Sequence, residues 1–183
     1  MPDPRTTPTV RPDDPRLDGW RAFLGAHARL FRRLDDELRA RHDLSLPEYE
    51  ALLQLAQAPG RRLRMSRLAD RVLLSRSGVT RLIDRLEADG SVARTQCAHD
   101  ARGAEAVLTD AGLARLRAAS ATHLAGIERH FLAHLDADEL SVVQRSLGRI
   151  ARAAGEPPEL DPECAPTAEA GRSSEATAPA ATR

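Results

Sequence analysis

The chain has 183 residues, in which 27 arginines balance 27 acidic residues and lysine is absent. This length suits one sizeable core with tails, and the formal net charge of zero means that overall charge does not identify a partner. Cys97 and Cys164 lie far apart in sequence, which excludes a disulfide framework or a zinc-binding spacing and favours a reducing compartment.

Both ends of the chain are poor in large apolar side chains. Residues 1–15 hold five prolines, and residues 154–183 are rich in Pro, Ala and Glu. Such segments bury too little surface to offset the entropy of ordering, so both are predicted to be disordered tails. No apolar run approaches the ~18–20 residues that span a bilayer, and no signal-peptide pattern opens the chain. We therefore expect a cytoplasmic protein with no membrane partner.

The first predicted element is a long helix over residues 17–41. Its apolar and aromatic side chains alternate three and four apart, a pattern typical of a seam that packs along another long helix. Ser45-Leu46-Pro47-Glu48 then indicates a capping box, and a second helix follows to about residue 58. The seam consists of Leu17, Trp20, Leu24, His27, Phe31, Leu34 and Leu38.

Two short helices are predicted next. Residues 65–72 form the first, and the stretch LLSRSGVTRLIDRLEADG, residues 73–90, contains the second, with apolar positions at the i, i+3, i+4, i+7 spacing. Ala69 is small enough for the two helices to cross closely. The spacing of helix, tight turn and helix is that of a helix-turn-helix.

The rest of the ordered region is predicted as a hairpin and two helices. Residues 91–97 and 105–109 indicate two strands joined by a turn-rich link that carries Asp100 and Arg102. Thr109 can cap a long helix that runs to about residue 135. A second capping box, beginning at Asp136, opens a last helix with the apolar stripe Leu140, Val143, Leu147 and Ile150.

The second short helix has the side chains for binding duplex DNA. Residues 61–94 carry nine arginines against four acidic residues, a local balance of +5. Unpaired N–H groups at a helix N-terminus favour phosphate, and Ser75 and Ser77 keep this end narrow. Ser77, Arg81 and Arg85 share a face away from the apolar stripe, and an arginine fork matches guanine O6 and N7 in the major groove.

The hairpin extends this candidate surface. Arg102 lies near its predicted tip and Arg94 at its base, and an arginine on such a hairpin can enter the narrow minor groove. Each arginine alone fits an ordinary solvated surface equally well. The combination of helix, turn, arginine-bearing helix and arginine-tipped hairpin is what indicates DNA binding.

Residues 64–112 resemble the winged helix-turn-helix core of the MarR family of bacterial transcriptional regulators, and with the flanking long helices the resemblance covers about 17–153. One departure is that the family's usual Asp-Arg-Arg in the wing is Asp100-Ala101-Arg102 here. The matching residues are Leu68-Ala69, Ser77, Thr80-Arg81-Leu82, Asp84, Leu86, Gly90, Arg94, Asp100, Arg102, Leu108-Thr109 and Gly112.

The resemblance implies a mostly α fold in which residues 45–109 form a winged helix-turn-helix with a two-stranded wing. A helical dimerisation domain would comprise residues 16–44 and 110–153. It implies a homodimer that reads a pseudo-palindromic operator in double-stranded DNA, as a repressor released by a small-molecule effector. The implied DNA-binding residues are Ser75, Arg76, Ser77, Thr80, Arg81, Arg85, Arg94, Asp100 and Arg102, with Arg102 in the minor groove and Asp100 bracing the wing.

Candidate sensing residues have competing interpretations. Trp20, His27 and Arg29 can help to line an effector pocket, but Trp20 and His27 also belong to the helical seam, which we favour. Three histidines of the fifth helix lie at i, i+7, i+11, and for these we favour an interface over a metal site, so no metal or cofactor is predicted. Cys97 in the wing is a candidate redox switch that we do not favour. The three histidines are His123, His130 and His134.

Two other classes of function compete with a DNA-binding regulator. An enzyme is not expected, because the sequence has no glycine-rich phosphate loop, no serine elbow and no carboxylate pair with a plausible partner. The alternative to a regulator is a helical protein–protein adaptor that keeps the winged shape without binding DNA.

Overall fold

Six α-helices and three short strands form the part of the chain that the structure, a computed structural model, describes. That part comprises residues 10–72, 74–97 and 100–155; the side chains of residues 97 and 100–103 lie outside it. The helices are α1 (Leu17–His42), α2 (Leu46–Gln57), α3 (Met65–Arg71), α4 (Arg76–Ala88), α5 (Asp110–His130) and α6 (Ala137–Ala154). The strands are β1 (Arg62–Arg64), β2 (Val92–Cys97) and β3 (Asp100–Leu108).

Side-chain caps begin four of the helices, three of them at residues that the sequence indicates. Ser45 and Glu48 form a reciprocal capping box at α2, and Asp136 and Glu139 form one at α6. The Thr109 hydroxyl accepts from the Gly112 amide at the start of α5, over 3.0 Å. Ser75 caps α4 in the same way. These contacts satisfy amide groups that have no partner within their helix.

The core lies where α2, α3, α4 and the sheet meet the C-terminal half of α1 and the first half of α5. Leu38, Leu52, Leu68 and Ile83, from four different helices, are fully buried there. The seam of α1 therefore has two parts. Leu34 and Leu38 are buried, and Leu34 packs against Gly126 of α5, whereas the aromatic side chains nearer the N-terminus are exposed.

The sheet has three antiparallel strands in the order β1-β3-β2. The mostly α, winged helix-turn-helix architecture is confirmed, but the sequence prediction lacked β1, which pairs Leu63 with Ala106 of β3. The wing is β2 and β3, and β3 begins at Asp100, within the predicted link. A register shift between Gln96 and Cys97 marks the outer end of the pairing.

One predicted helix boundary needs adjustment. The fifth helix was expected to reach residue 135, but α5 ends at His130, because Phe131 leaves the helical conformation with φ −128° and ψ −63°. A short 3-10 turn, Leu132–His134, then leads into α6. The N-terminal residues 10–15 form turns in which Asp14 accepts from Arg16. The predicted division into a DNA-binding and a dimerisation region stays a prediction, and the remaining tail residues lie outside the described part.

Candidate functional site

The N-terminus of α4 is open at the protein surface and carries small polar residues. The Ser75 hydroxyl accepts from the Gly78 amide over 3.1 Å and lies 3.2 Å from the Ser77 hydroxyl. Gly78 leaves room for this arrangement, since a Cβ there would lie only 3.2 Å from the Ser75 hydroxyl. No acidic residue lies in the first turn of α4, so its partial positive charge is not neutralised locally.

The side chains of α4 separate into two faces, as their spacing predicts. Val79, Leu82, Ile83 and Leu86 are buried in the core. The predicted site residues of the first two turns are all exposed on the other side. Thr80 also donates to the Arg76 carbonyl over 2.9 Å, which holds its hydroxyl against the helix. The exposed set is Ser75, Arg76, Ser77, Thr80 and Arg81.

Arg85, which the sequence places on the same face, has an intramolecular partner. Its Nε donates to Oε1 of Glu48 over 2.7 Å, and 59% of its side chain stays exposed. The other carboxylate oxygen of Glu48 accepts from the Ser45 amide over 2.8 Å. Burial acts to raise the pKa of Glu48, but the hydrogen bonds from Arg85 and Ser45 together outweigh burial and hold the pKa below its ordinary value.

Arg94 joins the wing to α4. Its guanidinium donates to the Asp84 carboxylate over 2.5 Å and to the Thr80 carbonyl over 3.0 Å, and its main-chain amide donates to Glu87. With 29% of its side chain exposed, Arg94 lies mostly between the wing and the helix. These partners attach Arg94 to α4 at the base of the wing, and its expected contact with DNA stays a prediction.

The outer wing contains the remaining predicted DNA-binding residues. The backbones of Asp100 and Arg102 lie in β3, and Cys97 pairs with Asp100 at the end of β2. Their side chains lie outside the described part of the chain, so their expected roles stay predictions.

A groove of about 690 Å³ lies between α1, α2 and α3. His27 contributes to it, whereas Arg29 lies on a neighbouring concave surface formed with α5 and α6. Trp20 is 56% exposed and stacks on Phe23 instead. The wall of the groove includes Glu50, whose pKa is raised by burial. The lining residues are His27, Phe31, Arg32, Asp35, Arg39, Leu46, Pro47, Glu50, Arg71 and Val72.

The three histidines of the fifth predicted helix have separate environments. His123 is buried against Tyr49, with ring centroids 4.4 Å apart, and burial lowers its pKa. His130 contacts the Glu37 carboxylate over 2.7 Å, and His134 lies in the 3-10 turn after α5. No cluster of three metal-binding side chains occurs among residues 10–72, 74–97 and 100–155.

Sequence reasoning missed Glu48 as a member of the site. The Ser45–Glu48 spacing predicted its capping role, and the structure confirms that role. Its second contact, to Arg85, joins residues 37 positions apart, and a local pattern carries no signal for such a contact.

Comparison with known proteins identifies the family of this chain. A family model described as MarR family matches residues 42–103. The crystal structure of AbsC, a MarR family transcriptional regulator from Streptomyces coelicolor, is 33% identical and superposes with a TM-score of 0.73. That similarity covers 80% of this chain and 98% of AbsC. The chain belongs to the MarR family.

Other relatives agree with this assignment. Sco3205, a MarR family transcriptional regulator from Streptomyces coelicolor solved in complex with DNA, is 32% identical with a TM-score of 0.71. The match covers 81% of this chain and 89% of Sco3205. The HTH-type transcriptional regulator TtmR from Methylorubrum extorquens (strain PA1) is 36% identical over 105 residues. Those residues are 57% of this chain and 53% of TtmR, so the match spans about half the length of that curated relative.

None of the described helices of this MarR family member combines the length and apolar character that crossing a bilayer requires.

Proposed function

We propose that this protein is a homodimeric transcriptional regulator that binds a pseudo-palindromic operator in double-stranded DNA. The observation that carries the proposal is the exposed edge of α4, formed by Ser75, Arg76, Ser77, Thr80 and Arg81 at a capped helix N-terminus. Hydroxyl groups, arginine forks and a helix N-terminus are the groups that contact phosphates and base edges in the major groove. The DNA complex of Sco3205 supports the same assignment.

The wing completes the proposed interface. We place Arg102 in the minor groove with Asp100 bracing the wing, as in the family pattern. Arg94 then acts by holding the wing against α4, through its contacts with Asp84 and Thr80. Arg85 lies farther along α4, in contact with Glu48.

The proposed dimer rests on an apolar surface that the described part of the chain leaves uncovered. Helix α6 has an apolar stripe but buries none of its residues. Contiguous exposed apolar surface of this kind marks an interaction site, and α1 and α5 extend it. We propose that α1, α5 and α6 of two copies interlock. The exposed large apolar side chains on these helices are Trp20, Phe23, Leu24, Phe31, Leu124, Val142, Leu147 and Ile150.

The groove between α1, α2 and α3 is the proposed effector site. Its volume lies within the range of about 300–1,000 Å³ that small-molecule sites have. Phe31 offers an aromatic face, and Arg32 and Arg71 offer positive charge, which together suit a small anionic or aromatic molecule. We propose that the protein is a repressor and that such a molecule releases it from DNA. His27 lines the groove; Trp20 and Arg29 would act in the neighbouring surfaces.

The test begins with selection of bound fragments from the source organism's genomic DNA, followed by titration of the best duplex. Arg81→Ala should weaken binding by about 1–3 kcal/mol and relax the base preference at one position of each half-site. Arg117→Ala removes an equally charged, exposed side chain from α5 and serves as the control. Wild-type affinity in Arg81→Ala would contradict the assignment of α4, and no retention of any duplex at low salt would favour the adaptor alternative.

A further inference from the structure

The buried carboxylate of Glu48 connects two elements that have little other direct contact. Helix α4 packs mainly on α3 and β2, and α2 meets it at few positions. Between them, Oε1 of Glu48 accepts from Nε of Arg85 over 2.7 Å, and Oε2 accepts from the Ser45 amide over 2.8 Å. Glu48 is 9% exposed, whereas 59% of the Arg85 side chain is exposed, so the contact is shielded from solvent on the Glu48 side.

The first turn of α2 is held from its other side as well. The Leu46 amide donates to Oδ1 of Asp35 on α1 over 2.7 Å, and Oδ2 of Asp35 accepts from Arg39. These contacts fix the start of α2 relative to α1. Glu48 in turn connects the start of α2 to the third turn of α4. Charge-assisted hydrogen bonds of this length are the stronger class and define geometry as well as energy.

We propose that Glu48 is a positioning residue for DNA recognition: its carboxylate sets the placement of α4 through Arg85, and Arg85 acts through this contact rather than as a phosphate ligand. The inference rests on the proposed function, because it assigns a role within DNA binding. The proposal also predicts a decrease in DNA affinity where simple electrostatics alone predicts an increase. Removing a negative charge beside a DNA-binding helix strengthens binding by simple electrostatics, whereas loss of a positioning contact weakens it.

The test compares the same substitution at two capping boxes. Glu48→Gln leaves one acceptor oxygen where two are used, so the contact to Ser45 or that to Arg85 is lost. Glu139→Gln changes the equivalent residue of the α6 capping box. Among the described residues the Glu139 carboxylate contacts only its own cap, and glutamine can replace glutamate in a capping box. We expect Glu48→Gln to weaken binding of the selected duplex roughly tenfold, in the range of coupling between contacting residues, and Glu139→Gln to leave it unchanged.

Arg85→Gln separates positioning from direct contact with DNA. If Arg85 acts by positioning α4, Arg85→Gln weakens DNA binding as much as Glu48→Gln does, and the double variant binds no more weakly than either single variant. The slope of log K against log[salt] then stays at the wild-type value. If Arg85 instead binds a DNA phosphate, the slope falls in magnitude by about 1, and the affinity losses of the two single variants add in the double variant. A reduced slope, or tighter binding by Glu48→Gln, would overturn the proposal.

A measurement on the free protein keeps this test independent of DNA binding. Amide hydrogen exchange of α4 should accelerate in Glu48→Gln and stay at the wild-type rate in Glu139→Gln, because only the first substitution releases the helix. If the wild type retains no duplex, the proposed function fails, and the exchange data still decide whether Glu48 holds α4. Unchanged exchange in Glu48→Gln would refute the positioning role.

Discussion

Gly112, in the first turn of α5, lies directly against the main chain of Ser91, which follows α4. A Cβ at residue 112 would overlap the Ser91 carbonyl group. The Thr109 hydroxyl donates to the same carbonyl over 3.0 Å. Arg115, one turn farther along α5, donates to the Asp89 carboxylate and to the Asp43 carbonyl. The C-terminal end of α4 is therefore attached to α5 at several points.

Gly112→Ala should destabilise the protein by about 3 kcal/mol, because the added methyl group meets rigid backbone that cannot move away as a flexible side chain would. Gly19→Ala is the matched control: its Cβ would meet nothing within 4 Å, and alanine is the better helix former. The free energy of unfolding of this control variant should rise by roughly 0.5 kcal/mol. Denaturant unfolding measures both, and equal stabilities would contradict the close packing at residue 112.

Arg94→Ala should loosen the wing without changing the exposed edge of α4. The variant loses the contacts to Asp84 and to the Thr80 carbonyl, so the amides of β2 should exchange faster, while those at the start of α4 keep their rates. DNA affinity should fall by about 1 kcal/mol, the net value of a few partly exposed polar contacts. Wild-type exchange in β2 would show that the wing does not depend on Arg94.

Leu147→Asp should convert the proposed dimer to a monomer. Leu147 is 40% exposed on α6, and a charge at this position would be desolvated in an apolar interface. Val10→Asp is a matched control, because Val10 is also 40% exposed but precedes α1. Size-exclusion chromatography with light scattering reports the mass of each variant. A monomeric wild type, or a dimeric Leu147→Asp at micromolar concentration, would contradict the interface.

His123 should make folding stability depend on pH. Burial lowers the pKa of His123 below its ordinary value of 6.5, so the unfolded chain binds a proton more readily than the folded one. Its contribution to stability is present above pH 6.5 and is lost as the pH falls toward the lower folded-state pKa. Unfolding at several pH values should show that His123→Phe loses less folding stability on acidification than the wild type does.

The parts of the fold that sequence predicts well are those set by local chemistry. The capping boxes beginning at Ser45 and Asp136 were predicted and confirmed, since each depends on residues three positions apart. The buried stripe of α4 was predicted for the same reason. Strand β1 was missed because three residues are too few to display an alternating pattern, and its pairing partner lies more than 40 residues later in β3.

The candidate site divides in the same manner. Helical spacing correctly placed Arg76 and Arg81 on an exposed face. It could not reveal that Arg85 contacts Glu48 or that Arg94 contacts Asp84, because those pairs form only when α2, α4 and the wing come together. Periodicity specifies which side of a helix a residue occupies, and tertiary packing decides which charges remain available to a partner.

Because α4 is attached at its Asp89 end, a small tilt of the helix moves its other end the farthest. Thirteen residues make a rod of about 20 Å, whose fixed end is at α5 and whose exposed end is at Ser75. A tilt of about 5° around the fixed end would displace the Ser75 end by roughly 2 Å, far more than the spread of hydrogen-bond lengths. The lever arm is longest at the exposed end, so the orientation of the rod must be accurate to within a few degrees for its tip to keep polar contacts.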